Sequence, residues 1–231
     1  MAKEIKILYE DANILVIDKP SGISVHGDGR SKEKTLVDWI LKNYPKMKNV
    51  GEPMGEIVRP GIVHRLDKET SGVLILAKNQ KAHEFLKEQF QNRTIKKVYN
   101  AIVSGHFKNE RGVINKPIGR SPVDFRRHLA GRGARGELRE AITEYKVLKN
   151  LGEFTYIEVK PKTGRTHQIR VHMKYLNHPV VCDSLYNPSG PCPKELKRLG
   201  LHALSVEFKD LKGKTVKVES PLPLQFKKLI R

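Results

Sequence analysis

The run Gly72-Val73-Leu74-Ile75-Leu76-Ala77 is apolar at every position, with no polar alternation. A short run of this kind, bounded by polar residues, reads as a strand buried on both faces. It needs further elements to cover it, and 231 residues are enough chain to supply them. Short strands are expected at Ile5–Tyr9, Ile14–Ile17 and Val98–Val103. Ala141–Leu148 and Phe154–Val159 pair as strands around Asn150-Leu151-Gly152, and Leu204–Phe208 pairs with Val216–Glu219 over Lys212-Gly213-Lys214. Apolar residues at helical spacing predict helices over Thr35–Tyr44, Gln80–Asn92, Thr166–Leu176 and Gln225–Ile230. Lys46–Pro60 reads as a loop, and Pro117–Glu140, rich in Gly and Arg, shows little periodicity. Many strands with interspersed helices and no regular βαβ alternation predict an α+β fold. No repeat or linker divides the sequence, so a single domain over residues 1–231 is expected.

Several classes are excluded on composition. No apolar stretch approaches the roughly 18 residues of a membrane span. The first residues lack the apolar core of a secretory signal, which points to the cytoplasm. The two cysteines, Cys182 and Cys192, lack CxxC spacing, so two reduced thiols are expected rather than a disulfide or a zinc site. Lysine and arginine outnumber aspartate and glutamate by 44 to 25, a formal charge of +19. Such an excess fits a polyanionic partner, nucleic acid above all, against the plainer reading of a solvated lysine-rich surface.

Four clusters could carry chemistry. His64-Arg65-Leu66-Asp67-Lys68-Glu69-Thr70-Ser71 leads directly into the buried strand, where a rigid element can hold a reactive group. Asp67, Thr70 and Ser71 would equally serve to cap a turn. In Lys160–His172, Gly164 permits a tight strand-to-helix turn and Thr166 can cap the helix. His167, Arg170 and Lys174 then share one polar face, directed to solvent or into a cleft, at an N-terminus suited to phosphate. His167 and His172 are five apart, the wrong spacing for two metal ligands on one helical face, so no metal is expected. In Lys96–Ala101, strand alternation puts Lys97, Tyr99 and Ala101 on one face, with Tyr99 either a half-buried strand aromatic or a base-contacting group. Arg126–Arg139 holds five arginines and one acid, Glu137. Its Gly131-Arg132-Gly133-Ala134-Arg135-Gly136 has no strand leading into it, which rejects a dinucleotide site and favours an arginine-rich RNA-binding loop.

Three of these segments, in order, resemble the signatures of the RluA-type pseudouridine synthases: His64-Arg65-Leu66-Asp67 with Thr70-Ser71-Gly72, Lys97-Val98-Tyr99-Asn100-Ala101, and Gly164-Arg165-Thr166-His167-Gln168-Ile169-Arg170-Val171-His172. The resemblance extends from Lys19-Pro20-Ser21-Gly22 to Pro221-Leu222-Pro223. It implies a mixed, mainly antiparallel sheet with an active cleft across it, and an enzyme that isomerises uridine to pseudouridine without cofactor or metal. By resemblance Asp67 is the essential aspartate, Arg170 pairs with it, and Tyr99 stacks on the target base. Arg65 fills the space of a flipped base, and Leu201 lines the pocket. Arg126, Arg127, Arg132, Arg135, Arg165, His167 and Lys174 are the expected RNA contacts. Large-subunit ribosomal RNA is the first expected substrate and transfer RNA the second. A non-catalytic RNA-binding or ribosome-assembly factor is the rival of another class. The family further implies a monomer, here without the N-terminal RNA-binding domain many relatives carry.

Overall fold

The structure is a computed structural model that describes residues 4–27, 33–52 and 59–231. In chain order its elements are β1 (Lys6–Glu10), β2 (Ile14–Lys19), α1 (Leu36–Asn43), β3 (Ser71–Ala77), α2 (Gln80–Gln91), β4 (Lys96–Ser104), β5 (Arg111–Asn115) and β6 (Ile118–Arg120). There follow β7 (His128–Ala130), β8 (Arg135–Arg139), β9 (Ile142–Leu151), β10 (Phe154–Pro161), α3 (Gln168–Tyr175), β11 (Leu201–Lys209), β12 (Thr215–Glu219) and α4 (Leu224–Ile230). The α+β class expected from the sequence is the class observed. Part of the expected 46–60 loop, residues 53–58, lies outside the described residues.

The chain forms two compact units, residues 1–96 with 203–221 and residues 97–202 with 222–231. In the first, β2 lies between β1 and β3 in antiparallel ladders, and β12 pairs with β11. Every residue of β3 is buried, as its unbroken apolar pattern requires. Ile14 and Val16 of β2, Val73 and Ile75 of β3, Ala82 and Leu86 of α2, and Val206, Phe208 and Val218 form one core. Asn79 caps α2 by accepting from the Ala82 amide at 3.0 Å.

In the second unit the sheet order is β4-β10-β9-β5, with antiparallel ladders at β10/β4, β10/β9 and β5/β9. Residues Ala101, Val103, Ile157 and Val159 pack against Ile169 and Met173 of α3 and against Val180, Leu199 and Leu201. A second cluster gathers Ile102, Tyr156, Val181 and Leu196 around Phe226 of α4.

Four features depart from the sequence-based expectation. The segment 117–140 is not irregular: β6 pairs with both β7 and β8 in a small antiparallel sheet. Its strands are short, β8 is exposed at every residue, and the register slips between Ile118 and Arg120, so no burial period is written into the sequence. The strand β5 alternates too briefly to be read. Helix α3 begins at Gln168, with His167 in a left-handed conformation (φ 56°) at its N-cap, in place of Thr166. Its residues Gln168 to Met173 are all buried, Arg170 and His172 included, so the polar face read from spacing is mostly interior. Finally, Cys182 and Cys192 are not two free thiols. They form a disulfide with Cα atoms 4.8 Å apart, a proximity that the fold creates and the ten-residue spacing does not announce.

Gly72 opens β3 with φ +113°, a backbone conformation that other residues rarely adopt. A Cβ there would also run into the backbone of Ala203. Gly72→Ala is expected to destabilise the protein by about 2 kcal/mol or more, read as a lower urea midpoint at unchanged slope.

Candidate functional site

The first signature sits in a loop that the Lys-Pro-Ser-Gly turn clamps from below. Lys19 is fully buried at the end of β2, and its Nζ donates to the carbonyls of Pro20 (3.0 Å), Ile23 (2.8 Å) and Lys68 (3.1 Å). The Gly22 amide donates to the same Lys68 carbonyl at 2.8 Å, and Ser21 Oγ donates to the Glu69 carbonyl at 2.7 Å. The Thr70 amide closes the turn on the Asp67 carbonyl at 3.1 Å. Asp67 is half-buried between Leu66 and Thr70, both buried. The backbone carbonyl of Asp67 thus makes the turn expected of this cluster. His64 stacks on Phe90 with ring centroids 4.6 Å apart, and its Nε2 accepts from the Ile75 amide in β3 at 2.9 Å. Arg65 is exposed, with Nη1 3.3 Å from His26 Nε2. Burial, together with the charges of Arg65 and Arg59, holds the His26 imidazole below its ordinary pKa.

The other two signatures fall in the second unit. Tyr99 packs on the cluster that contains Ile169, Met173 and Leu201, so Leu201 is part of this core at 3% exposure. Gln168 staples the signature turn to β9. Its Oε1 accepts from Thr163 Oγ1 (2.7 Å) and the Arg165 amide (3.0 Å), while its Nε2 donates to the Ile142 carbonyl (3.0 Å) and Thr143 Oγ1 (2.9 Å). His172 is fully buried, with Nδ1 2.8 Å from Thr143 Oγ1 and Nε2 2.9 Å from the Lys116 carbonyl. Burial pushes its pKa down, so it is a neutral structural histidine.

Arg170 makes a fork-to-fork pair with Asp183: Nε to Oδ2 at 2.7 Å and Nη2 to Oδ1 at 2.8 Å, with both side chains buried. Asp183 Oδ1 also accepts from the amides of Leu185 (3.0 Å) and Tyr186 (2.9 Å). Burial alone would raise this carboxyl, but the Arg170 bonds and charge and the two amides hold it below the usual carboxylate range. The Arg170 guanidinium lies 5.1 Å from the centroid of the Tyr186 ring. Tyr186 Oη accepts from the His128 amide at 2.9 Å and is 3.0 Å from His167 Nδ1. The hydroxyl therefore joins the signature turn to β7 of the arginine-rich segment. Neither Asp183 nor Tyr186 stands out in the sequence: a lone acid and a lone tyrosine in an aperiodic stretch carry no signal before their partners are known.

The expected RNA contacts divide into two groups. Arg126 is held by Asp124 through Nε (3.0 Å) and Nη2 (2.8 Å), and Arg127 lies 3.4 Å from the same carboxylate. Arg165 Nε donates to the Glu140 carbonyl at 2.9 Å, and His167 is engaged by Tyr186. Arg132, Arg135 and Lys174 are exposed and make no ion pair among the described residues. Beside the arginines, Val123 and Phe125 project at 94% and 84% exposure. No group of three or more metal-ligating side chains occurs among the described residues, and no helix is long and apolar enough to cross a membrane.

The family model of RNA pseudouridylate synthases matches residues 13–175, and the chain belongs to that family. It is 42% identical over 223 residues to the ribosomal large subunit pseudouridine synthase D of Borreliella burgdorferi, covering 96% of this chain and 66% of the relative. It is 46% identical over 198 residues to an uncharacterized RNA pseudouridine synthase of Aquifex aeolicus, covering 84% and 60%. The chain thus spans about two thirds of the length of these relatives. Among solved structures, human RNA pseudouridylate synthase domain containing 1 superposes with a TM-score of 0.76 at 28% identity, covering 95% of this chain and 84% of the other.

Replacing Asp183 by Asn would leave the Arg170 cation buried beside a neutral amide. A loss of about 3–5 kcal/mol of folding stability is expected, measured by urea denaturation at neutral pH. Because the folded-state pKa of Asp183 is depressed, this contribution is present above the ordinary carboxylate range and is lost as pH falls through the folded pKa. The stabilities of the parent and Asp183→Asn proteins should therefore converge in acid.

Proposed function

We propose that this chain isomerises uridine to pseudouridine in RNA, with large-subunit ribosomal RNA as substrate. The observation that carries the reading is that the family match encloses Asp67, Tyr99 and Arg170, each of the residue type its role demands. The substrate assignment is supported by relatives named as large-subunit ribosomal enzymes, at 42% identity in Borreliella burgdorferi and 40% in Pseudomonas aeruginosa. Residues 1–231 act as one catalytic domain, monomeric and cytoplasmic.

The reaction breaks the N1–C1′ bond of uridine, turns the uracil and joins C5 to C1′. The C5 proton leaves and N1 ends protonated, so the atoms of substrate and product are the same and no co-substrate is consumed. A single carboxylate suffices to start it, as a nucleophile at C1′ or as a base at C2′, and Asp67 is that carboxylate. Its loop is braced by Lys19, Ser21 and Gly22 through the carbonyls of Lys68 and Glu69. Tyr99 receives the base, which must leave its stack at a cost of a few kcal/mol. Arg170 supplies positive charge for the anionic uracil or for the carboxylate, fixed in place by Asp183. Arg65 occupies the gap left by the base. Phosphate contacts from Arg132, Arg135 and Lys174 offset part of the cost of flipping.

Asp67→Ala is expected to abolish pseudouridine formation while leaving RNA affinity within a few-fold of the parent. Mapping pseudouridine in cellular RNA with and without the gene tests this, and identifies the uridine. Residual isomerisation by the purified variant would overturn the role of Asp67. Pseudouridine lost from transfer RNA alone would move the substrate. A tight-binding protein with no isomerase activity would favour the ribosome-assembly reading.

Neutralising Arg132 and Arg135 together is expected to flatten the salt dependence of RNA binding, by about 0.7 in log–log slope per lost contact on a single strand. Arg126→Gln should change the slope less, because Asp124 already neutralises that side chain.

A further inference from the structure

Two lysines among the described residues are withdrawn from solvent, Lys19 fully and Lys97 in part. Lys19 is surrounded by carbonyls and its ammonium is accounted for by the fold. Lys97, the residue that follows Lys96 in β4, is half-buried, and among the described residues its Nζ makes one hydrogen bond, to the Thr163 carbonyl at 3.1 Å. An ammonium has three N–H donors. A Cβ added at Gly164 would stand 3.8 Å from this Nζ, so the ammonium rests against the turn of the third signature. Alternation along β4 puts Lys97 on the same face as Tyr99, about 7 Å away along the strand.

Among the described residues no carboxylate pairs with Lys97. Its charged neighbours each have their own partners: Lys96 with Glu207 at 2.7 Å, Lys160 with Glu158 at 2.8 Å, Lys162 with Glu144 at 2.9 Å, and Arg165 with the Glu140 carbonyl. A largely desolvated cation with one neutral acceptor is costly, and an apolar side chain of the same length would be cheaper if packing were its only task. The arrangement makes sense when the anion arrives with the substrate.

We propose that Lys97 Nζ is a binding group for a backbone phosphate of the RNA, the one flanking the nucleotide whose base lies on Tyr99. The separation of the two side chains on one strand face is comparable with that between a nucleobase and its flanking phosphate. This assignment rests on the reading of Tyr99 given above. It also has a consequence of its own. Burial pushes the Lys97 pKa down to about 8, and no charged neighbour contributes to that shift. A bound phosphate favours the charged form, so the pKa rises in the complex. Affinity is therefore intact below about pH 8 and falls as pH rises above it, by up to about tenfold per pH unit from this single group.

The test uses the full chain carrying Asp67→Asn, so that binding is separated from turnover. The probe is an unmodified large-subunit ribosomal RNA transcript, titrated by filter binding between about pH 7 and pH 9. The Asp67→Asn protein is expected to lose affinity through pH 8. Adding Lys97→Arg should hold the affinity constant across the range, because guanidinium stays charged. Adding Lys97→Met should weaken binding about tenfold at pH 7 and remove the fall. Thermal melts of both double variants confirm that they fold, and Lys97→Arg carries the decision if Lys97→Met does not. The proposal is overturned if Lys97→Arg shows the same fall as its parent, or if folded Lys97→Met binds as tightly at pH 7. Pseudouridine mapping fails independently: loss of isomerisation with a Lys97-dependent pH fall would overturn the catalytic reading and keep the phosphate site.

Discussion

The Arg170–Asp183 pair is the interaction on which the second unit depends. Both ions are buried, so each needs the other, and their geometry satisfies both. The pair fixes α3 to the segment that follows Cys182, and the Cys182–Cys192 bridge closes that segment on itself. Through Asp183 the amides of Leu185 and Tyr186 are held, and through Tyr186 the signature turn at His167 is tied to β7. An arginine presented by a mobile helix would be a diffuse charge. Here two of its nitrogens are occupied by Asp183, so its direction is set by the fold.

The parts of the fold that were legible in the sequence are those whose burial is periodic. Unbroken apolarity gave β3, and the spacing of Ala82, Phe85, Leu86 and Phe90 gave α2 within a residue of its observed end. The small sheet of β6, β7 and β8 was illegible because its strands are three to five residues long and mostly exposed, leaving no inside and outside to alternate. Helix α3 was located, but its environment was misjudged. Directing His167, Arg170 and Lys174 together to solvent or into a cleft overlooks burial against a partner, and Arg170 is buried because Asp183 makes burial tolerable. That partner is thirteen residues away in sequence, as remote from pattern as the pairing of Cys182 with Cys192.

The chemistry of the candidate site was legible to a different degree. Asp67, Tyr99 and Arg170 were readable only through the family resemblance, since a carboxylate in a turn and an aromatic in a strand have ordinary structural explanations. The fold shows which signature residues are structural. His64, Gln168 and His172 lie inside the signatures yet spend their polar atoms on β3, β9 and a neighbouring carbonyl. A signature thus contains residues whose polar atoms hold the local fold, and their hydrogen-bond partners identify them.

Lys19 stands directly opposite Gly72 in the β2/β3 ladder. One partner of this rung reaches down to brace the Asp67 loop, and the other must be bare to admit the Ala203 backbone. β3 has apolar residues at nearly every position, so hydrophobic pattern alone would tolerate a slip by one residue. The rung does not. A slipped strand would put the Cβ of Ser71 or the branched side chain of Val73 where only hydrogen fits. The same glycine that opens the strand therefore acts as a steric proofreader of its register, and keeps Asp67 at a fixed distance along the chain from the sheet.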